Sequence, residues 1–151
     1  MDEVEVPIEG LRVTTLKVIA HPKGNIFHVL KQSENVLRQL GEVYFSSILH
    51  SEIKAWKKHS RMTMNLVVPF GAVRFVFHDD RAGSTTMGKF FSIVIGPDNY
   101  RRLTVPPGVW MGFQGKAEGM SLILNIADIE HDPTDRKSTR LNSSNGKLYR
   151  M

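Results

Sequence analysis

From Leu11 to Ile126 the chain is written almost wholly in short β-branched and aromatic runs, each cut off by glycine, proline or asparagine. That punctuation leaves no room for long helices, and strands at such regular spacing point to an all-β sandwich or barrel. Strands are expected over residues 11–19, 26–30, 42–49, 53–57, 64–69, 72–77, 90–95, 102–105 and 121–126. His21-Pro22-Lys23-Gly24-Asn25 and Gly96-Pro97-Asp98-Asn99 read as turns, and Phe70-Gly71 as the tip of a hairpin. Residues 33–41 read as a single helical turn or a loop. Alternation over 72–77 puts Val73, Phe75 and Phe77 on one face and Arg74, Val76 and His78 on the other.

A chain of 151 residues is one domain by length and can bury one core. No apolar run approaches the ~20 residues that span a bilayer, so no membrane association is expected. The acidic start Met1-Asp2-Glu3-Val4-Glu5 is unlike a secretory signal. The absence of cysteine excludes disulfides and thiolate metal sites, and a cytoplasmic location is expected.

The net charge of +5 would ordinarily suggest a polyanionic partner. Yet Arg136, Lys137, Arg140, Lys147 and Arg150 against Asp135 put four of those five charges into residues 135–151. Residues 135–144 match, codon for codon, the translation of a sequencing-library adapter. The expected organisation is therefore a domain over 1–134, truncated at its C-terminus, and a non-native tail over 135–151. With the tail set aside, no nucleic-acid partner is expected.

Two segments carry the sharpest patterns. Asp79, Arg81, Gly83, Ser84, Thr86 and Gly88 fall in D-x-R-x-G-S-x-T-x-G, and Pro106, Gly108, Gly112 and Phe113 in P-x-G-x-x-x-G-F. In this order they resemble the dTDP-4-dehydrorhamnose 3,5-epimerase family, metal-free cupin isomerases of deoxysugar biosynthesis. The resemblance covers about residues 11–133. It implies a cupin or jelly-roll barrel, a homodimer, and a nucleoside-diphosphate 4-keto-6-deoxyhexose as substrate. The implied reaction abstracts the proton alpha to the ketone and uses no cofactor.

The catalytic positions of that family are changed here. Its histidine base falls on Lys57, its tyrosine acid on Asn125, its enolate-stabilising lysine on Met64, and a further histidine on Met111. The carboxylate that orients the base would lie beyond Pro133. Lys54 stands where the family has a phosphate-binding arginine. Lys23 and His28 stand where an arginine and a glutamate contact the nucleotide.

Read by chemistry, Lys57 is a base only if its pKa falls about three units, roughly 4 kcal/mol of destabilised charge. Burial and the adjacent Lys54 and Lys58 would push that way; otherwise Lys57 binds phosphate or sugar. His59, two residues on and on the same strand face, has a reference pKa near 6.5 that suits a base without strain. Asn125 is a hydrogen-bond partner for a keto or enolate oxygen, and Trp110 either a platform for a sugar ring or a packing residue. Lys54, Lys23 and His28 complete the expected binding set. Asp79 and Arg81 read as a structural pair at a turn. A metal-binding cupin would need His-x-His, which here is Lys57-x-His59, and a third ligand where Met111 stands, so no metal is expected. The alternative function is a degenerate cupin that binds a nucleotide sugar without turnover.

Overall fold

The computed structural model describes residues 2–139, so most of the segment set aside as a tail, residues 140–151, lies outside the described residues. The strands in chain order are β1 (Glu3–Val4), β2 (Arg12–Thr15), β3 (Val18–Ile19), β4 (Ile26–Phe27), β5 (Glu42–Leu49), β6 (Ile53–His59) and β7 (Met64–Phe70). They continue with β8 (Val73–Asp79), β9 (Phe90–Ile95), β10 (Arg101–Val105), β11 (Val109–Gly115), β12 (Met120–Ala127) and β13 (Arg136–Ser138). The region read as a helical turn or loop holds a 3-10 turn at Gln32–Glu34.

These strands form a six-stranded sheet ordered β1-β2-β10-β7-β12-β5, a five-stranded sheet ordered β13-β6-β11-β8-β9, and the small β3-β4 pair. Leu66, Val68 and Ile123 of the first large sheet meet Val73, Phe75, Phe77 and Phe113 of the second in one core. Alternation works as read: Val73, Phe75 and Phe77 are fully buried on the inner face.

The all-β class holds, but the expected cupin or jelly-roll barrel does not. Among the described residues each large sheet ends in two edge strands with no partner on their outer side, β1 and β5 in one, β13 and β9 in the other. Among the described residues no sheet closes on itself; the architecture is an open sandwich of two sheets. Strand and turn patterns specify the pieces and their inward faces, but closure depends on whether edge strands pair, which no local pattern encodes.

Phe70-Gly71 is likewise not a hairpin tip. β7 pairs with β10 and β12, whereas β8 pairs with β11 and β9. The chain turns a corner there from one sheet to the other. Gly71, at φ 85°, leaves no room for a side chain, because a Cβ would fall 2.3 Å from Ser121 Oγ. Three strands were missed: the short β1 and β13 at the ends of the described residues, and β11, which is hidden in the sequence by Pro106-Pro107 and three glycines and is the middle of the five-stranded sheet.

The Asp79 motif is a structural cage. The Asp79 carboxylate is fully buried and accepts hydrogen bonds from Arg81 N at 3.0 Å, Arg81 Nε at 2.9 Å, and the Ser84 and Thr86 hydroxyls at 2.7 Å each. These bonds, Arg81 first, hold its pKa far below the ordinary carboxylate range.

Candidate functional site

A cavity of about 330 Å³ opens between the two large sheets. One wall is the six-stranded sheet, which contributes Glu42, Tyr44 and Ser46 of β5, Met64 of β7 and Asn125 of β12. The facing wall is the five-stranded sheet, with Lys54, Lys57 and His59 of β6, Met111 and Phe113 of β11, and Arg136 of β13. His131 and Met62 also line it.

Lys54 and Lys57 should not share a face, being three residues apart on a strand. The ladder explains why both reach the cavity. Lys57 pairs with Met111 and Lys54 with Phe113, so three steps on β6 match two on β11. The extra residue is a β-bulge over Ala55-Trp56. Trp56 is fully buried there, and its ring occupies the space above Gly112, where a Cβ would lie 2.9 Å from the ring carbons.

Lys57 is half-buried, and its pKa is lowered first by that burial and then by the charges of Arg136 and Lys54. Lys58 plays no part in this. It points to the other face, bonding Asp80 at 3.1 Å and lying 4.8 Å over the Trp110 ring. Lys54 Nζ donates to the Ser47 carbonyl at 2.8 Å, tying β6 to the edge strand β5.

His59 sits deeper. Its pKa is lowered, chiefly by burial, with Arg136 and Lys57 adding to the effect and Asp135 opposing it. The imidazole is therefore neutral near pH 7 and able to take a proton. Its Nδ1 lies 3.4 Å from Asp135 Oδ2, an ion-pair distance without hydrogen-bond geometry. Asp135 is itself buried and accepts from Ser60 Oγ at 2.8 Å, Arg61 N at 2.6 Å and Met62 N at 3.2 Å. Asp135 and Arg136 both fall in the segment set aside from the sequence.

Asn125 lines the cavity, but its amide hydrogens are spent. Nδ2 donates to Ser46 Oγ at 3.0 Å and to the carbonyls of Ile123 at 3.2 Å and Tyr44 at 3.4 Å. Lys23, His28 and Trp110 do not line this cavity. Lys23 lies in the exposed turn between β3 and β4, and His28 follows β4, its backbone N–H bonded to Lys17 O at 3.0 Å. Trp110 donates from Nε1 to Asp80 at 2.8 Å on the far side of its strand.

Sequence reasoning missed Glu42, Tyr44, Ser46 and His131. The alternation of β5 does place 42, 44 and 46 on one face, but only the three-dimensional pairing puts that face opposite β6.

With this geometry in hand, likeness to known proteins becomes informative. No family model matches the chain. The structure of a dTDP sugar isomerase from Desulfovibrio desulfuricans G20 is 33% identical, superposes with a TM-score of 0.88, and aligns over 97% of this chain and 98% of that one. The chain belongs to the dTDP-4-dehydrorhamnose 3,5-epimerase family. Another family structure, a dTDP-6-deoxy-D-glucose 3,5-epimerase from Legionella pneumophila, shares the fold at TM-score 0.85 with 17% identity, covering 98% of this chain and 81% of that one. A Haloferax volcanii protein named "Probable low-salt glycan biosynthesis epimerase Agl13" is 26% identical over 136 residues, 89% of this chain and 87% of its own length.

Proposed function

We propose that the protein is a nucleotide-sugar epimerase or isomerase acting on a nucleoside-diphosphate 4-keto-6-deoxyhexose. The observation that carries this reading is the pairing of a neutral His59 with the ammonium of Lys57 on one wall of the cavity. Proton abstraction alpha to a ketone needs a base with a pKa near the working pH and a positive charge to hold the enolate oxygen. His59 supplies the first and Lys57 the second. This division is easier than a lysine base, because the imidazole is already neutral without a three-unit shift.

In the reaction, His59 takes the alpha proton, the C–H electron pair becomes the enolate double bond, and the ketone oxygen takes negative charge beside Lys57. Lys54, at the same cavity, offers a further cation to the diphosphate.

The test is incubation of the folded protein with dTDP-4-keto-6-deoxyglucose in D₂O, followed by NMR. Deuterium entering the sugar at C3 or C5 above the buffer rate is the expected result. A protein that binds the sugar, raising its Tm, yet never exchanges it is instead a binding module.

We propose further that two copies associate through the outer face of β5. Val43, Phe45 and Leu49 are 51%, 62% and 61% exposed along an unpaired eight-residue edge, with Phe70 and Met120 nearby on the same sheet. An apolar edge of this length is ordinarily covered.

The segment 135–151 we take as foreign to the native protein. The gene's 3′ end, read again from genomic DNA, is expected to encode a different sequence after Thr134.

A further inference from the structure

Inverting a carbon requires removal of its proton on one face and delivery of a proton on the other. His59 stands on the five-stranded wall, so the donor must come from the six-stranded wall. That wall offers the cavity five side chains. Met64 carries no proton to give. The Asn125 amide is no acid, and its hydrogens are bound to β5 and to Ile123 O. Ser46 Oγ receives one of those hydrogens, and an alcohol holds its own proton far more tightly than a phenol. Glu42 is engaged as an acceptor, taking the backbone N–H of His131 at 2.8 Å through Oε1.

We propose that Tyr44 is the proton donor of this site, reaching the substrate carbon from the face opposite His59. This assignment rests on the epimerase reading. Tyr44 lies directly across the ladder from Asn125, on the strand that the Asn125 side chain grips. Its hydroxyl makes no hydrogen bond to any described residue and is free to meet a ligand. Burial and the Glu42 carboxylate raise its pKa, so the phenol keeps its proton at neutral pH until an enolate carbon takes it. The proton donor that the resemblance places at Asn125 is thus supplied from the neighbouring strand, with Asn125 as the positioning residue behind it.

The step balances. The enolate carbon takes the Tyr44 O–H proton, the C=O re-forms, and the negative charge passes to the phenolate. His59 is left as imidazolium. Water carries a proton from His59 to solvent and from solvent to Tyr44, which resets the site with no net change in protons.

The test compares wild type with Tyr44→Phe on dTDP-4-keto-6-deoxyglucose in D₂O, following both deuterium in recovered substrate and formation of inverted sugar. Tyr44 is 43% exposed, and phenylalanine keeps its ring, so the variant retains the fold. The expected result is that Tyr44→Phe still washes deuterium into recovered substrate through His59, while inverted sugar falls at least about a hundred-fold, the scale of a lost general acid. Asn125→Ala is expected to lower inversion more than exchange. Inversion within threefold of wild type in Tyr44→Phe overturns the assignment. So does loss of exchange and inversion together in a folded variant, which would make Tyr44 a binding or structural group. Absence of exchange in wild type itself is a different failure: it overturns the epimerase reading, and the Tyr44 assignment with it.

Discussion

His59 and Lys57 share a wall but meet different demands, and single substitutions separate them. His59→Gln removes the imidazole that the described residues give that wall and is expected to lower deuterium exchange by about 10²–10⁴-fold with ligand binding retained. Lys57→Ala is expected to lower exchange and weaken sugar binding together, whereas Lys57→Arg keeps the charge and recovers much of the binding. The pH dependence follows from the direction of the His59 shift. Because its folded pKa lies below 6.5, kcat/KM is expected to stay level through neutrality and fall only below that value. The same shift bears on stability. Between the folded and unfolded pKa values the unfolded chain binds the extra proton, so stability is full above ~6.5 and is lost as pH falls through that window. Urea titrations from pH 7.5 to 5 are expected to show this slope in wild type and a weaker one in His59→Gln. Asp79 behaves in the opposite range. Its folded pKa is depressed, so its contribution is present above ~3.8 and is lost only as strong acid protonates it. Asp79→Asn replaces one of the two carboxylate oxygens that accept from Arg81, Ser84 and Thr86 by an NH2 donor and is expected to cost about 2–4 kcal/mol, read from the urea midpoint.

At the level of elements, the strands that sequence revealed best are those whose pattern is uninterrupted. Residues 42–49 and 90–95 are strands with those bounds in the structure. Leu11 to Ile19 breaks at Leu16 because the chain leaves the six-stranded sheet there and enters the β3-β4 pair. β11 was illegible because its glycines, which read as turn residues, serve packing instead. Gly112 leaves room for Trp56, so Gly112→Ala is expected to cost about 1–3 kcal/mol through overpacking, measured by thermal or urea unfolding. The candidate site was half legible for a related reason. Lys54, Lys57 and Asn125 came from motif position and His59 from lying two residues beyond Lys57, but Tyr44 looked like an ordinary strand aromatic until its strand was seen to face β6.

For the whole molecule, the sandwich leaves both edges of each large sheet open. That arrangement frames the dimer proposal, since β5 carries catalytic candidates on its inner face and exposed apolar residues on its outer one. Phe45→Glu is expected to shift sedimentation from dimer to monomer without unfolding the chain, because Phe45 contributes little to the core. Among the described residues no helix is long and apolar enough to cross a membrane. At the same scale, the bulge over Ala55-Trp56 works as a counting device. The chain's charge at the cavity depends less on how many lysines it owns than on an odd number of peptide units being absorbed between two of them. Excising one residue there would leave a regular ladder with both lysines still on the cavity face, whereas adding one would leave composition and net charge almost untouched yet rotate Lys54 out toward solvent and halve the lysine charge that β6 offers an incoming anion.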